Sequence, residues 1–250
     1  MTAHTPVAVT VGYDGAPCSR AALRWALVQA GHWPATVSVV TVWATEPQHR
    51  VAGTERMTSA DLARIVKLRA VHLGSMSGLD PDLVVSLDTV VGHPADVLVE
   101  RSRTSDLLVV GVHGRQFAGL GPAAGAVSRS CLRESYCPVV LIGERVAAVS
   151  PARIVVSAAE HQDDQGLAAW VDLLRLCVGT STVLPLVELD EPWSTRELAA
   201  RTRPDDLLVV GRASGPVPSL LLRDPGCPVL VAPNVPVVVM SGELEMSDAS

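Results

Sequence analysis

The sequence has no excess of basic residues: among its 250 residues, 20 Lys and Arg stand against 26 Asp and Glu, a formal net charge of −6. Proteins that bind nucleic acid or an anionic membrane surface usually present a basic stripe. We therefore expect neither partner. A nucleotide site would have to rely on backbone dipoles or a bound cation, because the sequence has no excess of lysines to neutralise the phosphates.

Long apolar runs and a targeting segment are also missing. No stretch of about 18 uncharged apolar residues could span a bilayer as a helix, and the first residues lack the basic segment and apolar run of a secretory signal. The cysteines are odd in number and show no C-x-x-C spacing, which disfavours a disulfide framework and a metal site. They are Cys18, Cys131, Cys137, Cys177 and Cys227. We expect buried, reduced thiols in a cytoplasmic protein.

The sequence does contain a regular alternation of short apolar runs and helix-like stretches. This alternation is typical of a parallel sheet covered by helices on both faces. Up to residue 143 it predicts five strands, one helix from Pro17 to a stop at Gly31, and another from Ala123 to Arg133. Further helices are predicted at residues 58–75 and, as a short one, at residues 94–103. The predicted fold class is therefore α/β, with a doubly wound, Rossmann-like parallel sheet.

The pattern starts again in the second half of the chain. "SDLLVVGVHG" at Ser105 returns as "DDLLVVGRAS" at Asp205, and "YCPVVLIG" at Tyr136 returns as "GCPVLVAP" at Gly226. An internal repeat of this length predicts duplication, with a second half too short for a full sheet. "NVPVVVM" offers one more strand. The predicted units are residues 1–147, a shortened unit at 151–240, and an acidic tail at 241–250.

Glycines cluster after the predicted fourth strand, in "GVHGRQFAGLGPAAGAVS" from Gly111 to Ser128. In a doubly wound sheet the ligand crevice lies beyond the carboxyl ends of the strands, where strand order reverses. Backbone N–H groups and the N-terminus of the next helix would bind a phosphate there. Asp14, after the first strand, could bind a ribose or share a divalent cation. Turn sterics explain the glycines equally well, and capping of the next helix explains Asp14, so both interpretations stay open.

Three blocks of the first half resemble the universal stress protein family. They are "VGYDGAPCSRAALRWA", "TVVGHPADVLVERS" and "DLLVVGVHG…GAVS…CPVVLI", and they occur in the family's order. The second half resembles the same family in degraded form. The resemblance implies two domains of the adenine-nucleotide-alpha-hydrolase type in tandem, the second one truncated.

The resemblance also implies an ATP site in the first half, with or without Mg²⁺. In nucleotide-binding members an acidic residue after the first strand and a loop of pattern G-x2-G-x9-G-[ST] hold the nucleotide. The implied binding positions are Gly12, Asp14, Val42, Gly111, Gly114, Gly125, Ala126, Val127 and Ser128. The loop departs from the pattern, since ten residues separate Gly114 from Gly125 and Ala126 replaces the hydroxyl residue. One lost hydrogen bond to a charged group, about 1.5–3 kcal/mol, weakens such a site by one or two orders of magnitude without abolishing it.

No catalytic constellation is recognisable in the sequence. His113 could act as a base, although a solvent-facing loop position explains it as well. The resemblance implies a cytoplasmic stress-response regulator and not an enzyme. The alternatives are a scaffold that binds no nucleotide and, third, a slow ATPase. Family members pair through the strand that corresponds to "CPVVLI", so we expect the two halves to pair through edge strands and a homodimer to be possible.

Overall fold

The computed structural model describes residues 7–31, 35–43, 83–112, 125–144, 146, 151–157, 167–168, 171, 186–189, 201–211 and 227–232. Within these residues, nine strands and three helices have defined bounds. The strands are β1 (Val7–Gly12), β2 (Ala35–Trp43), β3 (Val84–Val91), β4 (Leu107–Val112), β5 (Val139–Gly143), β6 (Arg153–Ser157), β7 (Leu186–Leu189), β8 (Asp206–Gly211) and β9 (Val229–Ala232). The helices are α1 (Pro17–Ala30), α2 (Pro94–Arg101) and α3 (Ala126–Glu134).

The strands form one sheet in the order β3-β2-β1-β4-β5-β9-β8-β6-β7. All neighbours are parallel except β5 and β9, which pair antiparallel. Strand order reverses between β1 and β4, because the chain first builds outward to β3 and then returns to β4. The predicted α/β class with a parallel, doubly wound sheet is thus confirmed.

Helices pack on both faces of this sheet. The sheet therefore separates the core into two clusters, one on each face. On one face α1 buries Leu23 and Trp25 against alternate strand residues such as Val11. On the other face α2 contributes Leu98 and α3 contributes Leu132. Alternation of side chains along each strand supplies both clusters from the same strands.

The start of α3 differs from the prediction. The sequence pattern placed it at Ala123, but the helix begins at Ala126. Gly125 has φ 82°, a left-handed conformation that cannot lie inside a right-handed helix. The glycine therefore fixes Ala126 as the first helical residue.

The strands of the second half repeat the register of the first. Leu208 lies beside Val229 in β8 and β9, as Leu108 lies beside Val139 in β4 and β5. The amides of Leu108 and Leu208 donate equivalent 3.0 Å hydrogen bonds to the carbonyl oxygens of Pro138 and Pro228. The predicted helix at 58–75, the "NVPVVVM" strand and the acidic tail lie outside the described residues.

A buried ion pair connects two strands of this half. Asp206 is fully buried and receives Arg153 Nε at 2.5 Å and Nη2 at 3.0 Å. The amide of Arg203 donates to the same carboxylate at 2.6 Å. These bonds supply the partners that a buried carboxylate requires.

Among the described residues, no helix is long and apolar enough to cross a membrane.

Candidate functional site

The candidate site lies at the carboxyl ends of β1 and β4. These two strands are neighbours, with Val11 beside Val109, and the reversal of strand order falls between them. Along the chain, helix α1 is the next element after β1, and α3 is the next described element after β4. In an open α/β sheet this is the position where a crevice for a ligand forms.

Gly111 supports the first turn of α1. A Cβ atom at Gly111 would lie 2.6 Å from the carbonyl carbon of Cys18 and 2.7 Å from the amide nitrogen of Ser19. These are backbone atoms that cannot move aside, so only glycine allows this approach. The turn-sterics interpretation of Gly111 therefore has a direct physical basis.

The first turn of α3 contacts Gly111 as well. Ser128 is buried and its Oγ donates a 3.3 Å hydrogen bond to the carbonyl oxygen of Gly111. The N-terminal turns of α1 and α3 therefore meet beside one residue. Neither helix has a side-chain hydrogen bond at its N-cap residue, Ala16 or Gly125. Two positive dipole ends with amide donors thus flank the end of β4, an arrangement that favours an anion.

Asp14 lies on the same rim, after β1, and is exposed. Its Oδ1 accepts a 2.9 Å hydrogen bond from the amide of Ala16, and Gly15 between them has φ 83°. Asp14 thus stabilises the turn into α1, which is its predicted structural role. Its charge also acts nearby: burial, and then Asp14, raise the pKa of the Cys18 thiol to about 12.

The other predicted positions have local packing roles. A Cβ at Gly12 would lie 2.9 Å from Leu98 Cδ1, so this glycine makes room for α2. Val42 is half-buried against the second core cluster, two residues beyond Val40, which lies beside Gly12. Ala126 and Val127 are half-buried in the first turn of α3, and Gly114 lies outside the described residues. The sequence analysis missed the backbone of Cys18 and Ser19 as part of this site, although Pro17 at a helix start was a signal for that turn.

A comparison with protein families identifies the first half. The model of the universal stress protein family matches residues 8–143, more than half of the chain. The chain belongs to the universal stress protein family. The resemblance of the three sequence blocks is thereby confirmed, and the matched region runs from β1 to β5.

Curated universal stress proteins match the same part. Universal stress protein Rv2005c of Mycobacterium tuberculosis is 32% identical over 139 residues, which cover 55% of this chain and 45% of that protein. Universal stress protein Rv1996 of the same organism is 31% identical over 144 residues, covering 55% and 44%. The match therefore spans slightly less than half the length of these relatives.

A solved structure supports the fold. The structure of a universal stress protein from Archaeoglobus fulgidus is 14% identical, covers 91% of this chain and 98% of that one, and has a TM-score of 0.56. Another universal stress protein, solved in complex with cAMP, is 26% identical and covers 56% of this chain and 99% of that one, with a TM-score of 0.40. The first of these extends the likeness of fold over both halves of the sheet.

This universal stress protein lacks a hydroxyl group that the family's binding pattern has at the start of α3. Ala126 has no hydroxyl, and Ser128 uses its single proton on the carbonyl of Gly111. The donors left in the first turn of α3 are main-chain amides. No group of three or more His, Cys, Asp or Glu side chains in the described part could hold a metal ion.

Proposed function

We propose that the protein is a cytoplasmic stress-response regulator whose first half binds an adenine nucleotide, ATP with or without Mg²⁺. The observation that carries this proposal is the meeting of two helix N-terminal turns beside Gly111, across the rim from Asp14. Such a pair of dipole ends favours a phosphate chain without lysines. Membership of the universal stress protein family supports an adenine nucleotide as the molecule that carries this phosphate chain.

Each part of the nucleotide would have a partner of suitable chemistry. The amides of Ala126 and Val127 would donate to phosphate oxygens, because the first amides of a helix have no intrahelical acceptor. Asp14 would accept from a ribose hydroxyl or help to hold Mg²⁺. Val42, apolar and half-buried, would contact the base.

We further propose that binding shifts a conformational equilibrium and that turnover is not the function. The described part of the rim presents the carboxylates of Asp14 and Glu144, the guanidinium of Arg20, apolar side chains and amides, with no imidazole to activate water. His113 lies outside the described residues. Nucleotide would stabilise the arrangement of the α1 and α3 turns on β4, and β5 lies directly beside β4. Since β5 pairs with β9, a change there would reach the second half.

The second half is proposed to be a degenerate copy without nucleotide. Its strands β6, β8 and β9 share the registers of β1, β4 and β5. With Trp170 aligned to Trp25, however, its sequence has Ala159 where the first half has Asp14. We propose that it serves as an internal pairing partner that covers the edge of β5, an edge that would otherwise be open to association.

The test is calorimetry with Mg-ATP on the wild-type chain and two variants. Asp14→Asn keeps an oxygen that can accept from Ala16 but removes the charge, and we expect about tenfold weaker binding. Glu144→Gln is the matched control, because Glu144 is an exposed acid at the end of the neighbouring strand and also raises the pKa of Cys18. We expect unchanged or slightly tighter binding in that variant, since only repulsion is removed. Equal losses of Mg-ATP affinity in both variants, or no measurable heat of Mg-ATP binding to the wild-type chain, would overturn the proposal.

A nucleotide-free scaffold is the second candidate. It is favoured by the loop chemistry, in which Ala126 lacks a hydroxyl and Ser128 is bonded to Gly111. The same experiment separates the two functions. Absence of Mg-ATP binding, together with absence of nucleotide in the protein released by denaturation and analysed by mass spectrometry, would favour the scaffold.

A further inference from the structure

A row of hydroxyl side chains crosses three strands near the amino end of the sheet, opposite to the nucleotide rim. Thr10 in β1 lies beside Ser38 in β2, and Ser38 lies beside Ser86 in β3. Neighbouring strands are about 4.8 Å apart, and residues in register point to the same face. Parallel strands covered by helices are normally apolar on both faces, so three hydroxyl residues in one row need an explanation.

These hydroxyls line a cavity of about 120 Å³. Thr36, Arg101, Thr104 and Ser105 complete its polar wall, and Ala8 and Val84, which lie on the same face of the sheet, contribute apolar surface. The cavity opens to solvent beside β3, where Val84 is 60% exposed. Since one water occupies about 30 Å³ in the liquid, the space suits about four waters or one small organic molecule.

The direction of the hydrogen bonds can be worked out on one side of the cavity. Ser105 Oγ donates its proton to the carbonyl oxygen of Arg101 at 2.8 Å. Thr10 Oγ1 lies 2.7 Å from Ser105 Oγ and must therefore donate to it, because a hydroxyl has one proton. Both oxygens then offer lone pairs alone to a ligand. A ligand that contacts these two oxygens has to donate hydrogen bonds to them.

The charge of the cavity wall is balanced. Arg101 Nη1 donates to Asp88 Oδ2 at 2.8 Å, so the carboxylate neutralises the guanidinium. The remaining guanidinium N–H groups still donate hydrogen bonds. An oxyanion such as sulfate has acceptors only, and it would meet the lone pairs of Thr10 and Ser105 and the charge of Asp88. A neutral ligand that both donates and accepts fits this wall better.

We propose that this cavity is a second binding site, which takes a small neutral polyol of three or four carbons. Its hydroxyls donate to Thr10 and Ser105 and accept from Arg101, while its carbon chain lies on Ala8 and Val84. The site is at the opposite end of the strands from Asp14 and is independent of the proposed nucleotide function. Ligands of this size make few contacts, so binding is expected in the millimolar range.

The test is NMR of the ¹⁵N-labelled full chain titrated with glycerol and, separately, with sodium sulfate at constant ionic strength. Glycerol is expected to shift the amide signals of Thr10, Ser38 and Ser105 with saturation and to leave Gly12 and Gly111 unmoved. Ser38→Ala removes one hydroxyl of the row and should weaken binding about three- to tenfold. Ser86→Val fills the open side at an exposed position that valine suits, and it should abolish binding without disturbing the fold.

Thr41→Val is the matched control, because Thr41 lies on the same strand as Ser38 but on the opposite face and toward the other end. Its affinity for glycerol should equal that of the wild type. Saturable shifts with sulfate and none with glycerol would overturn the polyol assignment in favour of an anion. Shifts that rise linearly for glycerol would show that the cavity holds only water, and saturable shifts that survive Ser86→Val would show that glycerol binds elsewhere; either result would overturn the proposal.

Discussion

Ser128 Oγ donates a 3.3 Å hydrogen bond to the carbonyl oxygen of Gly111, and this bond connects the first turn of α3 to the end of β4. The same glycine receives the first turn of α1 on its other side, against the backbone of Cys18. One residue therefore sets the positions of two helix N-terminal turns. Ser128 acts in this geometry as a positioning residue, and the phosphate donors of the proposed site are amides.

The first prediction restores the missing hydroxyl. Ala126→Ser places an O–H donor in the first turn of α3, where the family pattern has one. A hydrogen bond to a charged group contributes about 1.5–3 kcal/mol, so Mg-ATP affinity is expected to rise at least tenfold. Calorimetry on the wild type and the variant under the same conditions measures this difference.

Ser128→Ala is the control for that prediction. Because the Ser128 proton is already donated to Gly111, its loss should leave nucleotide affinity within about threefold and lower stability by about 1 kcal/mol. A large loss of affinity in Ser128→Ala, with no gain in Ala126→Ser, would show that Ser128 turns from Gly111 to the phosphate and that the assignment of donors is wrong.

The second prediction separates two glycines of the rim by the reason for their presence. Gly111→Ala forces a Cβ to within 2.6 Å of backbone atoms of Cys18, and we expect a loss of about 3 kcal/mol or more in the free energy of unfolding. At Gly125 no atom lies within 4 Å of the new Cβ, and the cost comes from φ 82° alone. Gly125→Ala should therefore cost only about 1–2 kcal/mol.

Urea unfolding of both glycine variants provides the comparison. Equal losses would mean that α1 moves away from Gly111 without cost, so that its first turn is not fixed against β4. A larger loss at Gly125 would mean that the loop conformation, and not the helix contact, controls the stability of the rim.

Much of the first half could be predicted from the sequence because its signals are local. Apolar runs indicated the strands, and Pro17 and Gly31 marked both ends of α1. The start of α3 was predicted three residues too early, because alanines at 123 and 124 suit a helix as well as a loop. What decided the boundary was the backbone angle of Gly125, which no residue type specifies alone.

The site was only partly predictable, because it depends on contacts between distant segments. The motif indicated Gly111 as a phosphate-loop residue, but its packing on Cys18 requires the two strands to be neighbours first. The hydroxyl row of Thr10, Ser38 and Ser86 was missed for a similar reason. Each residue is an ordinary polar position in its own strand, and only strand register brings the three together.

The third prediction concerns alkaline pH. Burial raises the pKa of the Cys131 thiol from 9.0 to about 12 and that of Cys227 to about 11, as it does for Cys18. Above pH 9 the unfolded chain loses these protons while the folded chain keeps them. The free energy of unfolding should therefore be unaffected by these thiols below pH 9 and fall as pH rises from 9 to about 11, approaching about 1.4 kcal/mol per pH unit for each thiol.

Urea unfolding at several pH values from 7 to 10.5 measures this slope. Cys131→Ala should make the slope above pH 9 shallower, since one thiol is removed. Leu132→Ala is the control: Leu132 is a buried neighbour without a titrating group, so its loss should lower stability at every pH and leave the slope unchanged. A slope that Cys131→Ala does not alter would show that the thiol is accessible to solvent in the folded chain.

The last prediction tests the junction between β5 and β9. Val140 and Leu230 lie directly opposite each other in this antiparallel pair, and both are fully buried. Leu230→Ala should cost about 2–5 kcal/mol, and its effect should depend on Val140 because paired side chains share one packing environment. A double-mutant cycle of Val140→Ala and Leu230→Ala should give a coupling energy of about 0.5–3 kcal/mol.

Ile154→Ala is the control, because β6 lies three strands from β5. The effect of Ile154→Ala on stability should therefore add to that of Val140→Ala. Additivity in the Val140 and Leu230 cycle would show that these two side chains are not coupled across the junction, and transmission of a nucleotide signal from β5 to β9 through this pair would then lose its physical basis.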